Sequence, residues 1–134
     1  MNEESPESHY RDVLLVDDEP KLLLLIGDLL RANGFDVITA PDALRAMQQL
    51  DENRVGLVIL DINIAGEDGI RLMSFMKLNH PDLPVMLYTG LSHDEAQVQW
   101  MFAQGAACYV SKAVPPSDLL SAVQQILGVP KAKA

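Results

Sequence analysis

Val13-Leu14-Leu15-Val16-Asp17-Asp18-Glu19-Pro20 is the stretch on which the fold turns. Four apolar residues break directly into three acids and a proline. A run that short, without apolar–polar alternation, suits a parallel strand buried on both faces. The acids then mark its carboxyl end. Val55–Leu60 has the same build and stops at Asp61-Ile62-Asn63. Further apolar, β-branched runs lie at Phe35–Thr39, Val85–Tyr88 and Cys108–Val110.

Segments of helical character separate these runs. Lys21–Ala32 carries Leu22, Leu25, Ile26, Leu29 and Leu30 at helical spacing, with Gly34 placed for a C-terminal cap. Ala43–Leu50 follows Pro41-Asp42, and Ile70–Leu78 stops before Pro81. Ser92-His93-Asp94-Glu95 reads as a capping box opening Ala96–Gln104. Leu119–Leu127 follows Pro115-Pro116-Ser117 and ends at Gly128. Five strands alternating with five helices predict an α/β, three-layer, doubly wound (βα)5 fold of the flavodoxin type. Its five-stranded parallel sheet has the order 2-1-3-4-5, with helices on both faces. Residues 1–10 are expected to be a tail and 129–134 a tail or the start of a linker, flanking one domain over 11–128.

Composition limits the function. The 134 residues are 49% apolar and 22% charged, which is globular. The longest apolar run in a periodic segment, Leu22–Gly27, is far below the roughly 18 residues of a membrane span. The polar, acidic first ten residues are no secretory signal. The single cysteine excludes an internal disulfide and a cysteine-rich zinc site. A net charge of −9 disfavours nucleic-acid binding through the general surface and favours a cation where the acids cluster. The expectation is a cytoplasmic protein that binds neither membrane nor nucleic acid.

In a doubly wound sheet, ligands bind beyond the carboxyl ends of the strands, at the switch in strand order. Here that point lies between strands 1 and 3, which deliver Asp17, Asp18 and Asp61 to one place. Converging carboxylates repel one another unless a cation intervenes. An all-oxygen set of this density suits Mg²⁺. Strand 4 adds the hydroxyl of Thr89, and strand 5 adds the ammonium of Lys112. An Asp at a strand end can equally be a helix cap or turn residue, and Thr89 can simply end a strand. Together, acids, hydroxyl and lysine around one point describe a phosphoryl site. A carboxylate attacks, cations neutralise the transferring group, and the hydroxyl binds one of its oxygens.

These residues resemble the receiver domains of two-component response regulators over roughly residues 11–127. Val13–Pro20 is similar to that family's opening strand and acidic pair, and Asp61–Gly69 to its phosphoacceptor loop. Thr89-Gly90, Gly105-Ala106 and Tyr109-Val110-Ser111-Lys112 follow in family order. The resemblance implies a phosphorylated Asp61 and a Mg²⁺ ion held by Asp18 directly, by Asp17 largely through water, by Asp61 itself and by the backbone carbonyl of Asn63. It implies that Thr89 and Lys112 contact the phosphoryl oxygens, and that Tyr109 turns inward when Thr89 is drawn to the phosphate. The implied partners are a sensor histidine kinase or phosphotransfer protein as donor, and a downstream effector or output domain. Phosphorylation would reshape the helix 4–strand 5–helix 5 surface, which could also form a homodimer. Such a domain is a signalling module rather than an enzyme, catalysing only its own phosphorylation and slow dephosphorylation. Two positions depart from the family: Ala65 and Ala113 stand where it usually has Pro. The family's Lys-Pro bond is commonly cis, whereas a cis Lys112–Ala113 bond would cost about 2.5–4 kcal/mol.

Two other functions compete. A Mg²⁺-dependent phosphatase of the haloacid-dehalogenase type also uses an Asp nucleophile. It wants D-x-D after strand 1, where this chain has Asp17-Asp18-Glu19, and a cap domain for which there is no room. The other is a receiver-fold adaptor that works without phosphorylation. In the family that the chain resembles, the residues at Leu91 and Asn63 flank the route of the attacking water, so the resemblance implies that apolar Leu91 orients no water and prolongs the phosphorylated state. Trp100 lies off the centre of the apolar stripe of Val98, Met101 and Phe102; it either packs at the edge of that stripe or is partly exposed, as the candidate for the partner face. The methionines and Cys108 read as core filler. His9, His80 and His93 form no ligand spacing.

Overall fold

In the computed structural model, which describes residues 10–64, 66–90 and 94–130, strands and helices alternate along the chain. The order is β1 (Tyr10–Val16), α1 (Pro20–Ala32), β2 (Val37–Ala40), α2 (Ala43–Glu52), β3 (Arg54–Leu60), β4 (Asn63–Ile64), β5 (Glu67–Asp68), α3 (Gly69–Asn79), β6 (Val85–Thr89), α4 (Glu95–Ala103), β7 (Cys108–Ser111) and α5 (Pro116–Leu127). The main sheet runs β2-β1-β3-β6-β7, with every pairing parallel. By position this is the expected 2-1-3-4-5 order. The switch lies between β1 and β3, whose register pairs Val16 with Leu60 and so brings Asp17 and Asp61 level.

Successive strand residues face opposite layers. Leu14, Val16, Val58, Leu60, Val85 and Leu87 join a core with residues of α2, α3 and α4. Val13, Leu15, Leu57, Ile59, Met86 and Tyr88 join a second core with Ile26 and Leu30 of α1 and Leu119 and Val123 of α5. Both faces are covered, which is why these strands read as unbroken apolar runs.

Three local expectations are corrected. On α1 the buried residues are Ile26, Gly27 and Leu30, while Leu25 is 58% exposed. Four consecutive leucines leave the phase of the stripe ambiguous, and packing against β1 and α5 turns Leu24 and Leu25 outward. The cap of α4 is Asp94, whose carboxylate accepts from the Gln97 backbone N–H while the Gln97 side chain accepts from the Asp94 N–H. The box is therefore Asp94–Gln97, two residues later than read; Ser92 and His93 lie outside the described residues. On α4 Met101 is buried, whereas Phe102 is 44% exposed and not part of the stripe. Val129 is also exposed, and the peptide bonds among the described residues are all trans, Lys112–Ala113 included.

Candidate phosphoryl site at the carboxyl edge of the sheet

Apolar strands end abruptly at one rim. The Asp17 N–H donates to the Ala40 carbonyl and the Asp61 N–H to the Val16 carbonyl, each at 3.1 Å. The ladder thus carries both aspartates one residue past the core. Asp17 is 1% exposed and Asp61 8%. Asp18, one residue on, is exposed. Asp17, Asp18 and Asp61 each place a carboxylate oxygen within 4.8 Å of the others.

Lys112 supplies the opposing charge. Its Nζ lies 2.7 Å from Asp17 Oδ2, 3.3 Å from Asp61 Oδ2 and 3.5 Å from Glu19 Oε1. The backbone N–H of Lys112 donates to the Thr89 carbonyl at 2.8 Å, which fastens the end of β7 to the end of β6. Gly90 lies under the lysine stem: a Cβ there would sit 3.7 Å from Lys112 Cδ. The ring of Tyr88 lies 5.9 Å from Nζ, within cation–π range. Thr89 is 1% exposed at the same rim. Burial pushes the Asp17 carboxyl above its ordinary range, against the Lys112 hydrogen bond and the Glu19 N–H, which lower it. For Lys112, burial works downward. The Asp17 hydrogen bond and the charges of Asp17 and Asp61 outweigh it and hold the ammonium above its ordinary range.

The loop after Asp61 is tighter than its sequence suggests. Asn63 and Ile64 pair antiparallel with Asp68 and Glu67, closed by Gly66 at φ 78°. Asp68 then caps α3, accepting from the Ile70 and Arg71 N–H groups. Gly69 sits so close that a Cβ there would lie 2.3 Å from the Asp61 carbonyl oxygen and 2.6 Å from that of Ile62.

The structure thus brings together Asp17, Asp18, Asp61, Thr89 and Lys112, with Asn63 on the loop beside them. Tyr109 is half-buried on β7 against the core of α2, α3 and α4. Trp100 stands apart on α4 and is 53% exposed. Ala65 and Leu91 lie outside the described residues. The acids fit a hard divalent cation by chemistry: every candidate donor is an oxygen, and two of the three carboxylates are buried. Three residues carry more than the sequence disclosed. Glu19 was visible only as the third acid of a run, Tyr88 only as a strand residue, and Gly69 only as a loop glycine. Their roles depend on side-chain reach and backbone approach across the rim.

A model of the response regulator receiver domain family matches residues 13–124. The chain belongs to that family: it is a receiver domain of the two-component response regulators. The nitrogen assimilation regulatory protein NtrX of Azorhizobium caulinodans is 31% identical over 118 residues, covering 87% of this chain and 26% of that protein. The transcriptional regulatory protein PrrA of Mycobacterium tuberculosis is 32% identical over 115 residues, covering 86% of this chain and 49% of that protein. The chain therefore spans about a quarter and about half of the length of these two relatives. Among solved structures, the receiver domain of NtrX from Brucella abortus superposes with a TM-score of 0.78 at 30% identity, covering 87% of this chain and 98% of that one. A CheY-like receiver domain protein from Methanospirillum hungatei superposes with a TM-score of 0.80 at 25% identity, covering 88% and 94%. No helix among the described residues is long and apolar enough to cross a membrane.

Proposed function

We propose that this receiver domain, spanning residues 11–128, accepts a phosphoryl group on Asp61 in a Mg²⁺-dependent reaction. The observation that carries this reading is Lys112 Nζ, set against Asp17 and Asp61 at the edge of a three-carboxylate cluster. A fixed cation beside a nucleophilic carboxylate is what phosphoryl transfer needs. Asp18 and Asp61, the Asn63 carbonyl and, through water, Asp17 would hold the ion. When bound, Mg²⁺ supplies positive charge against the oxygens of the transferring group. An Asp61 oxygen attacks phosphorus, and the donor's leaving group departs with the electron pair of the broken bond. The Lys112 ammonium and the Thr89 hydroxyl bind the phosphoryl oxygens.

The donor is a histidine kinase or phosphotransfer protein, and the receiver of the signal is an effector or output domain. Thr89 and Tyr109 couple the phosphate to the surface of α4, β7 and α5, where the exposed Trp100 offers an aromatic anchor to a partner or a second copy. The domain has no external substrate and catalyses only its own phosphorylation and slow hydrolysis.

Intact mass after incubation with acetyl phosphate and Mg²⁺ tests this. One phosphoryl group is expected on the wild type and none on Asp61→Asn. No gain in either, together with no shift in melting temperature on adding beryllofluoride and Mg²⁺, would overturn the reading.

A further inference from the structure

Glu19 holds the N-cap position of α1, yet its side chain makes no capping hydrogen bond. It turns instead toward the rim, where Oε1 lies 3.5 Å from Lys112 Nζ. Its own backbone N–H donates to Asp17 Oδ1 at 3.0 Å, so the residue is seated on the site from the main-chain side. The Glu19 side chain is 65% exposed, against 2% for the side chain of Asp17 and 10% for that of Asp61. Glu19 is not among the three acids that converge tightly enough for a cation. It is therefore a negative charge at the open mouth of the site, tethered by the lysine that the transferring phosphoryl group must contact. Any donor entering there passes this charge and competes with it for the ammonium.

We infer that Glu19 is a specificity-determining residue for the phosphodonor: its charge opposes donors in proportion to their own negative charge. The inference rests on Asp61 as acceptor and adds to it a selection among donors. Small, highly charged phosphodonors are the class it disfavours. Acetyl phosphate and phosphoramidate separate the effect, since at neutral pH the first carries one negative charge more. With acetyl phosphate, the Asp61 oxygen forms the new P–O bond as the old one breaks and acetate leaves with the electron pair. With phosphoramidate, the P–N bond breaks and ammonia leaves, keeping the protons its nitrogen already carries.

The experiment follows phosphorylation by time-resolved intact mass, in Mg²⁺, with each donor separately. The chains are wild type, Glu19→Gln and Glu19→Asp, each first checked for wild-type thermal unfolding. One unit of donor charge facing one carboxylate across roughly 6 Å of water-like medium is worth about three-fold in rate. Glu19→Gln is thus expected to raise the acetyl phosphate rate, and the ratio of the acetyl phosphate to the phosphoramidate rate by about three-fold. Added salt should shrink the difference between the variant and wild type. Glu19→Asp keeps the charge and should keep the wild-type ratio. A purely structural role would change both rates together and leave the ratio alone. An unchanged ratio in Glu19→Gln, or a Glu19→Asp variant that behaves like it, overturns the inference while leaving Asp61 as acceptor. A wild type that gains no phosphoryl group from either donor, and whose melting temperature does not shift with beryllofluoride and Mg²⁺, overturns the function itself, and this inference with it.

Discussion

Asp17 is a residue kept at a cost. Burial holds its carboxyl above the ordinary range although Lys112 sits 2.7 Å away. The folded chain therefore binds this proton more tightly than the unfolded one does. Stability from this group is full at low pH, declines as the pH rises from the unfolded value through the folded one, and stays reduced at neutral pH. Asp17→Asn removes the buried charge while Lys112 keeps Asp61 and Glu19. The metal-free variant is expected to melt higher than wild type at pH 7, by about 3–6 °C if about 1 kcal/mol is relieved. The gain should vanish at acid pH, where Asp17 is neutral in both states; thermal unfolding at the two pH values checks the sign. Gly69 shows the opposite economy. Its missing side chain lets the α3 turn close against the Asp61 and Ile62 carbonyls, and a methyl group there meets backbone rather than a side chain that could move away. Gly69→Ala is expected to lose about 1–3 kcal/mol in denaturant unfolding and to slow phosphorylation of Asp61 by displacing its loop. Unchanged stability would show that the loop yields.

At the scale of elements, α4 separates what faces the core from what faces outward. Met101 is 4% exposed and its neighbour Trp100 is 53% exposed. Met101→Ala should cost about 2–5 kcal/mol and Trp100→Ala less than about 0.5 kcal/mol, as read by denaturant unfolding. A large loss from Trp100→Ala would mean that the ring is structural and not held out for a partner. The same helix marks where the sequence stops being legible. Val98, Met101 and Phe102 fall at helical spacing, but with Trp100 beside them the apolar residues spread over more than one face, so spacing alone does not say that Phe102 turns outward. Leu22 to Leu25 pose the same problem on α1. The strands were legible for the converse reason: Val13–Val16 and Val55–Leu60 are buried on both faces, so orientation does not affect their reading. The aspartates at their ends, with Thr89 and Lys112, could be placed because a parallel sheet delivers all strand ends to one rim. The ladder of Asn63 and Ile64 with Glu67 and Asp68 could not, since two residues per strand leave no period to detect.

For the molecule as a whole, the acidic rim should respond to the cation it resembles a site for. Bound there, Mg²⁺ would relieve repulsion among Asp17, Asp18 and Asp61, and it would find no equivalent set in the unfolded chain. It should therefore raise the melting temperature in a concentration-dependent way. Asp18→Ala should abolish most of that rise; an equal shift in the variant would place the ion elsewhere. A last consequence comes from the two cores. Because β1 and β3 offer apolar side chains to both layers, a strand slid by one residue would still show oil to oil on either side. Greasiness alone does not tell such a strand where to stop. The charges at Asp17 and Asp61 do, since one step inward would bury them in a layer with no counter-ion. They act as punctuation for the sheet's register. An amide in their place keeps the full stop while losing the chemistry, whereas a leucine would erase both.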